Sequence, residues 1–146
     1  MKKILLLHGK ESQPGGSKAA AILSAGYELI NPDLRTGWGE ALQRAQDAVD
    51  THKPDVVVGS SRGGALAVNI DTNGAPRVLI APAWRMFGSA TSVPGNTVIL
   101  HSRVDDIVPF EDSEELAKTS GAKLVEVGAD HRMSDSAALG AMLGYL

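Results

Sequence analysis

The chain of 146 residues has no cysteine. This excludes a disulfide framework and a catalytic thiol, and it fits a reducing compartment. Long apolar runs are also missing. After Met1-Lys2-Lys3 the run Ile4–Leu7 stops after four residues, short of the roughly 7–15 of a secretory h-region. No segment reaches the roughly 20 apolar residues of a membrane span, so a cytoplasmic protein that is not a membrane partner is expected. Charge of one sign is not in excess either. The 14 Lys and Arg nearly balance 17 Asp and Glu, a net charge of −3, and no basic run suggests nucleic acid. No His-rich tract suggests a metal site, and there is neither an internal repeat nor a low-complexity linker. The reading is one domain, residues 1–146, acting on a small molecule; the sequence says nothing of its oligomeric state.

What the chain does have is alternation. Short aliphatic or β-branched runs at Lys3–Leu7, Tyr27–Asn31, Asp55–Gly59, Arg77–Ile80, Thr97–His101 and Lys123–Val127 read as strands. Amphipathic stretches near Ser17–Ala25, Gly39–His52, Arg62–Asp71, Glu111–Ser120 and Ser134–Tyr145 read as helices between and after them. This is the pattern of an α/β protein with a parallel sheet covered on both faces. Ser17 and Ser134 suit helix N-caps, Gly26 and Gly121 suit stops, and Pro54 follows the stretch Gly39–His52. The longest stretch without periodicity, Ala81–Gly95, follows the fourth strand and carries Trp84, Arg85, Met86 and Phe87. Ligands of such sheets bind at the carboxyl ends of strands, so this loop is expected to overhang the site, with Trp84, Arg85 and Phe87 as substrate-binding residues.

The pentad Gly59-Ser60-Ser61-Arg62-Gly63 follows the apolar run Val56-Val57-Val58 and precedes Ala65-Leu66-Ala67-Val68. It is a Gly-x-Ser-x-Gly turn between a strand and a helix, where a tight reversal lifts the central hydroxyl into the open. Ser61 is the nucleophile of this reading, and Ser60 is a spacer. A serine hydroxyl needs a base to take its proton, and the base needs a third group to orient it. In the order Ser, acid, His, the acid falls in His101-Ser102-Arg103-Val104-Asp105-Asp106, after the fifth strand. Asp105 is preferred and Asp106 is the runner-up, because adjacent side chains at a strand end point different ways. His131, after the sixth strand, is the only histidine beyond the acid segment and so becomes the base. His8 is read as a brace for the first loop, His52 as a helix-end residue and His101 as a strand-terminal one. Asp130 is not expected to orient His131, its neighbour in sequence. Backbone N–H groups of Arg62 and Lys10 are the expected oxyanion donors, with Gly9 allowing close approach.

Taken together, the chain resembles the α/β-hydrolase superfamily, and within it the small YqiA-like bacterial esterases. The resemblance rests on Leu7-His8-Gly9, Ser12-x-Pro14, Ser17-Lys18-Ala19, Gly59-Ser60-Ser61-Arg62-Gly63-Gly64, Ala81-Pro82-Ala83, Asp105-x-x-Val108-Pro109 and Gly128-x-Asp130-His131, which run through nearly the whole chain. It implies a six-stranded, mostly parallel sheet in the order 2-1-3-4-5-6, with helices on both faces and no cap domain. It also implies a Ser61, Asp105, His131 triad and hydrolysis of carboxylic esters or thioesters without cofactor or metal. Two features depart from many relatives. Arg62 and Lys10 replace apolar or aromatic residues, and Arg35, Arg85 and Arg132 also lie near strand ends, so a cationic rim selecting an anionic substrate is one expectation. Without a lid, an open, shallow site for small acyl groups is another. The same residues would also serve a binding protein on this fold, or an acyltransferase that passes the acyl group to an acceptor other than water.

Overall fold

The computed structural model describes all residues, 1–146. In chain order the elements are β1 (Lys3–Leu7), α1 (Gly16–Ser24), β2 (Glu28–Ile30), α2 (Trp38–His52), β3 (Val56–Ser60), α3 (Arg62–Asn69), β4 (Arg77–Ile80), β5 (Val98–His101), α4 (Phe110–Ser120), β6 (Lys123–Glu126) and α5 (Ser136–Gly144). The strands form one parallel sheet in the order β2-β1-β3-β4-β5-β6. Successive strand side chains point to opposite faces, so each apolar run feeds two cores. Leu5, Leu7, Val57, Leu79 and Ile99 pack against α2, α3 and α4. Ile4, Leu6, Val56, Val58, Val78, Ile80 and Leu100 pack against Ala19 and Ile22 of α1 and Ala138 and Met142 of α5. The four inner strands are buried almost throughout, whereas the edge strands β2 and β6 are partly exposed.

On α2, Ala41, Ala45, Ala48 and Val49 are the buried positions. They recur at helical spacing, and their small side chains let the helix lie close on the sheet. Arg77 breaks the apolar pattern of β4 but serves α3. Its guanidinium donates to the carbonyls of Ala67 and Ile70, both at 2.7 Å, and satisfies acceptors that the end of a helix leaves open.

Element ends differ from the sequence reading by one or two residues, and two caps move. Helix α1 begins at Gly16 after Gly15, so Ser17 falls within its first turn and does not cap it. Asp135, not Ser134, caps α5, with its carboxylate accepting the Ala138 N–H at 3.2 Å. Gly121 does end α4 in a left-handed conformation, φ 69°. No helix is long and apolar enough to cross a membrane.

Candidate active site

Ser61 occupies the one-residue junction between β3 and α3, with φ 56° and ψ −116°. For a residue with a side chain this conformation costs about 1–3 kcal/mol and must be imposed by its surroundings. Its N–H donates to Ile80 O at 2.9 Å, and its carbonyl accepts N–H groups of Gly64 (3.0 Å), Ala65 (3.2 Å) and Ala83 (2.9 Å). The flanking glycines are required by close packing. A Cβ on Gly63 would run into the Leu7 carbonyl, and one on Gly59 into the Gly63 carbonyl. At Gly9 a Cβ would make only ordinary contacts, 3.4 Å and beyond, so the expected close approach is not what that glycine provides.

The Ser61 hydroxyl lies 2.9 Å from His131 Nε2, and His131 Nδ1 lies 2.7 Å from Asp105 Oδ2. With Nδ1–H donating to the carboxylate, Nε2 is left free to accept the serine proton. The Asp105 carboxylate is buried and its acceptors are all used. Oδ1 takes the N–H groups of Ile107 (2.7 Å) and Val108 (2.8 Å), and Oδ2 takes His131 and His101 (2.9 Å). Burial pushes this carboxyl up, but hydrogen bonds from His131, Val108 and Ile107, with the His131 charge, outweigh it and hold it below the usual carboxylate value. Asp106 is exposed and bonds nothing within the chain, so the geometry separates the two aspartates.

His101 has a larger part than a strand end. Its ring is fully buried, and Nε2 faces two acceptors, Asp105 Oδ2 and Val108 O at 3.1 Å, so Nε2 carries the hydrogen. Nδ1 lies 2.6 Å from Ser113 Oγ on α4. One carboxylate oxygen therefore receives two imidazoles. Spacing hinted at this, since His101 and Asp105 sit four apart, but only the turn at 102–108 brings the rings to one oxygen.

The loop bearing His131 is pinned from several sides. Met133 is buried at its base, Asp130 Oδ1 accepts the Met133 N–H (3.2 Å), Asp135 Oδ1 accepts the Ala129 N–H (3.0 Å), and Lys18 Nζ donates to the Arg132 carbonyl (2.6 Å). Asp130 thus braces the turn and makes no hydrogen bond to His131. His8 braces the first loop, with Nδ1 donating to Gly9 O at 2.8 Å and Nε2 accepting the Leu34 N–H at 2.8 Å.

Ser61 and His131 open into a cleft of about 640 Å³, within the range of small-molecule sites. Lys10, Arg62, Met86, Phe87, Ile107 and Arg132 are among its walls. Arg62 begins α3, so its N–H has no carbonyl within its own helix, and the Lys10 N–H has no partner in the chain. The Arg62 side chain does not form the expected rim. It is buried, donates to Leu34 O (3.0 Å) and Thr36 O (2.7 Å), and lies about 6 Å from the stacked rings of Trp38 and Phe87. Two further expectations are corrected. Trp84 is a core residue, with its indole donating to Asp112 O at 3.0 Å, and Arg85 pairs with Asp112 (3.1 Å) and Glu115 over the Trp84 ring. Helix α4 turns both away from the cleft, leaving Phe87, and the unforeseen Met86, to line it. Arg35 is likewise taken up by Asp33. No cluster of three His, Asp or Glu is arranged to hold a metal ion.

Compared with solved structures, the chain aligns over its full length with a protein of Xanthomonas campestris pv. campestris placed in the α/β hydrolase superfamily as a candidate hydrolase. The two are 24% identical, 100% of each chain is covered, and the TM-score is 0.78. This is the α/β-hydrolase fold. The ydeN gene product of B. subtilis shares it at 17% identity, covering 99% of this chain and 98% of that one, with TM-score 0.74. Est1E from Butyrivibrio proteoclasticus shares it at 16% identity, covering 99% and 88%, with TM-score 0.73. No protein-family profile and no curated protein sequence matches the chain. Among hydrolase folds this is a lidless one: the segment between β4 and β5, residues 81–97, is the longest connection over the cleft and carries no helix or strand.

Proposed function

We propose that the protein is a serine hydrolase that cleaves small carboxylic esters or thioesters through a covalent acyl-enzyme. The observation that carries this reading is the unbroken line Ser61 Oγ, His131, Asp105, at 2.9 and 2.7 Å, at the floor of an accessible cleft. His131 takes the Ser61 proton as Oγ attacks the ester carbonyl. Asp105 stays ionised, keeps His131 in the Nδ1–H tautomer and stabilises the imidazolium. The N–H groups of Lys10 and Arg62 receive the oxyanion, each such donor contributing about 2.7–4 kcal/mol in the transition state. His131 then protonates the leaving alkoxide or thiolate, and water repeats the sequence to release the acid. Through its hydrogen bond to Oδ2, His101 helps to hold the Asp105 carboxylate beside His131. The absence of a cap favours small, soluble acyl groups.

The test is hydrolysis of p-nitrophenyl esters from acetate to octanoate by wild type and Ser61→Ala, with fluorophosphonate labelling of Ser61 alongside. Labelling and Ser61-dependent turnover that is highest on short chains are expected. No labelling and no turnover above the variant would sink the hydrolase reading in favour of a binding protein on this fold.

A further inference from the structure

Seven arginines are present, and six are engaged. Arg35, Arg44, Arg85 and Arg103 pair with carboxylates. Arg62 and Arg77 are buried on backbone carbonyls. The Arg132 guanidinium is exposed, meets no acceptor in the chain, and lines the cleft beside the base His131. Lys18 approaches the same point from α1. Half-buried, it has a backbone carbonyl, that of Arg132, as its hydrogen-bond partner. Burial, followed by the Arg132 charge, lowers the Lys18 ammonium below its usual value, while Asp130 and Asp135 raise it. Neither aspartate forms an ion pair with Lys18, and both carboxylates are occupied by backbone N–H groups. Lys10 adds a third unpaired cation to the cleft wall, against the single carboxylate of Glu11. The α1 terminus at the same wall has no side-chain cap and no acid in its first turn, which adds the same sign.

On a protein of net charge −3, two cations that line the same cleft as Ser61 and form no ion pair repel each other, and a bound anion would relieve that repulsion. We infer that the cleft takes an ester or thioester bearing an anionic group, carboxylate or phosphate, which Arg132 and Lys18 receive. The inference rests on the hydrolase reading and names its substrate class. Of the rim expected from sequence it keeps Arg132, drops Arg62 and Arg85, and adds Lys18.

The experiment compares matched esters that differ in one charge. On the acyl arm these are p-nitrophenyl hemisuccinate and its methyl ester; on the leaving arm, 4-acetoxybenzoate and its methyl ester. The anionic member of at least one pair is expected to have the higher kcat/KM by about tenfold. The preference should shrink as salt rises to about 0.5 M and should fall in Arg132→Gln and Lys18→Gln. Lys118→Gln, remote on α4, should leave it intact. If Lys18 only ties down the His131 loop, its variant will slow both members equally and the ratio will not move. Equal turnover of charged and neutral members on both arms, with Ser61 still labelled, overturns the inference and leaves the hydrolase reading standing. Should no ester turn over, NMR titration still decides the matter. N-propylsuccinamate should bind more tightly than N-propylbutyramide, and equal binding would overturn the inference as well.

Discussion

The proposed nucleophile and its partners are held in place by different means. Ser61 is positioned by backbone: four main-chain hydrogen bonds, a positive φ, and glycines whose missing side chains let β3 and α3 press against β1. Asp105 and His131 are positioned by side-chain polarity, with every acceptor of Asp105 filled and the His131 loop stapled by the side chains of Lys18, Asp130 and Asp135. Backbone sterics fix an atom to within a contact distance and are written in short motifs. Polar saturation fixes orientation, and it depends on groups that arrive from far along the chain. The first device should therefore fail through stability when disturbed, and the second through activity with the fold retained.

The largest effect on activity is expected from Ser61→Ala, a loss of kcat of about 10⁴-fold or more. Its thermal unfolding midpoint should match or exceed that of wild type, because alanine carries no hydroxyl to satisfy in the strained turn. Asp105→Asn should cost about 10⁴-fold in kcat by favouring the wrong His131 tautomer. The same residue carries a pH signature. Its carboxyl is held below the usual value when folded, so its stabilisation is fully present above the unfolded-state value near 4 and is lost as pH falls through the lower, folded one. In Asp105→Asn the acid side of the stability profile should flatten; an unchanged profile would contradict the assignment.

Gly63→Ala tests the backbone device. The added methyl meets the Leu7 carbonyl, and a destabilisation of about 2–4 kcal/mol in urea unfolding is expected. A variant as stable as wild type would show that the elbow is not sterically determined. His101→Gln should be milder, about a tenfold fall in kcat with KM little changed and a displaced acid limb in the kcat–pH profile. A purely structural His101 would lower the unfolding midpoint and leave that limb where it was. Smallest of all, Asp106→Asn should stay within about 0.5 kcal/mol in stability and close to wild type in rate, as befits a solvated neighbour.

Much of this could be read from the sequence because the information was local. Strand β1 spans Lys3–Leu7 and β4 spans Arg77–Ile80, the bounds their apolar runs suggest. The order β2-β1-β3-β4-β5-β6 is the one the family resemblance implied. Ser61, Asp105 and His131 all follow strands of a parallel sheet, which brings them to one rim whatever their separation. For Trp84 and Arg85 the sequence misleads because their loop has no periodicity to show which side chains face the cleft, and contacts with Asp112 and Glu115 on α4 decide where they point. Arg62 looked like a rim cation because a sequence shows its charge but not the carbonyls of Leu34 and Thr36 that receive it.

The alternation of strands and helices and the glycine-built turn at Ser61 were legible in the residues alone, since each depends on side-chain periodicity or on steric limits within a few residues, and the order Ser61, Asp105, His131 needed no more than the chain itself. The tertiary structure alone decided that His101 shares the oxygen of Asp105, that Arg62 turns inward, and that Lys18 and Arg132 meet at the cleft. Those outcomes depend on the direction a long side chain takes, and that direction is set by acceptors and packing surfaces contributed by distant parts of the chain.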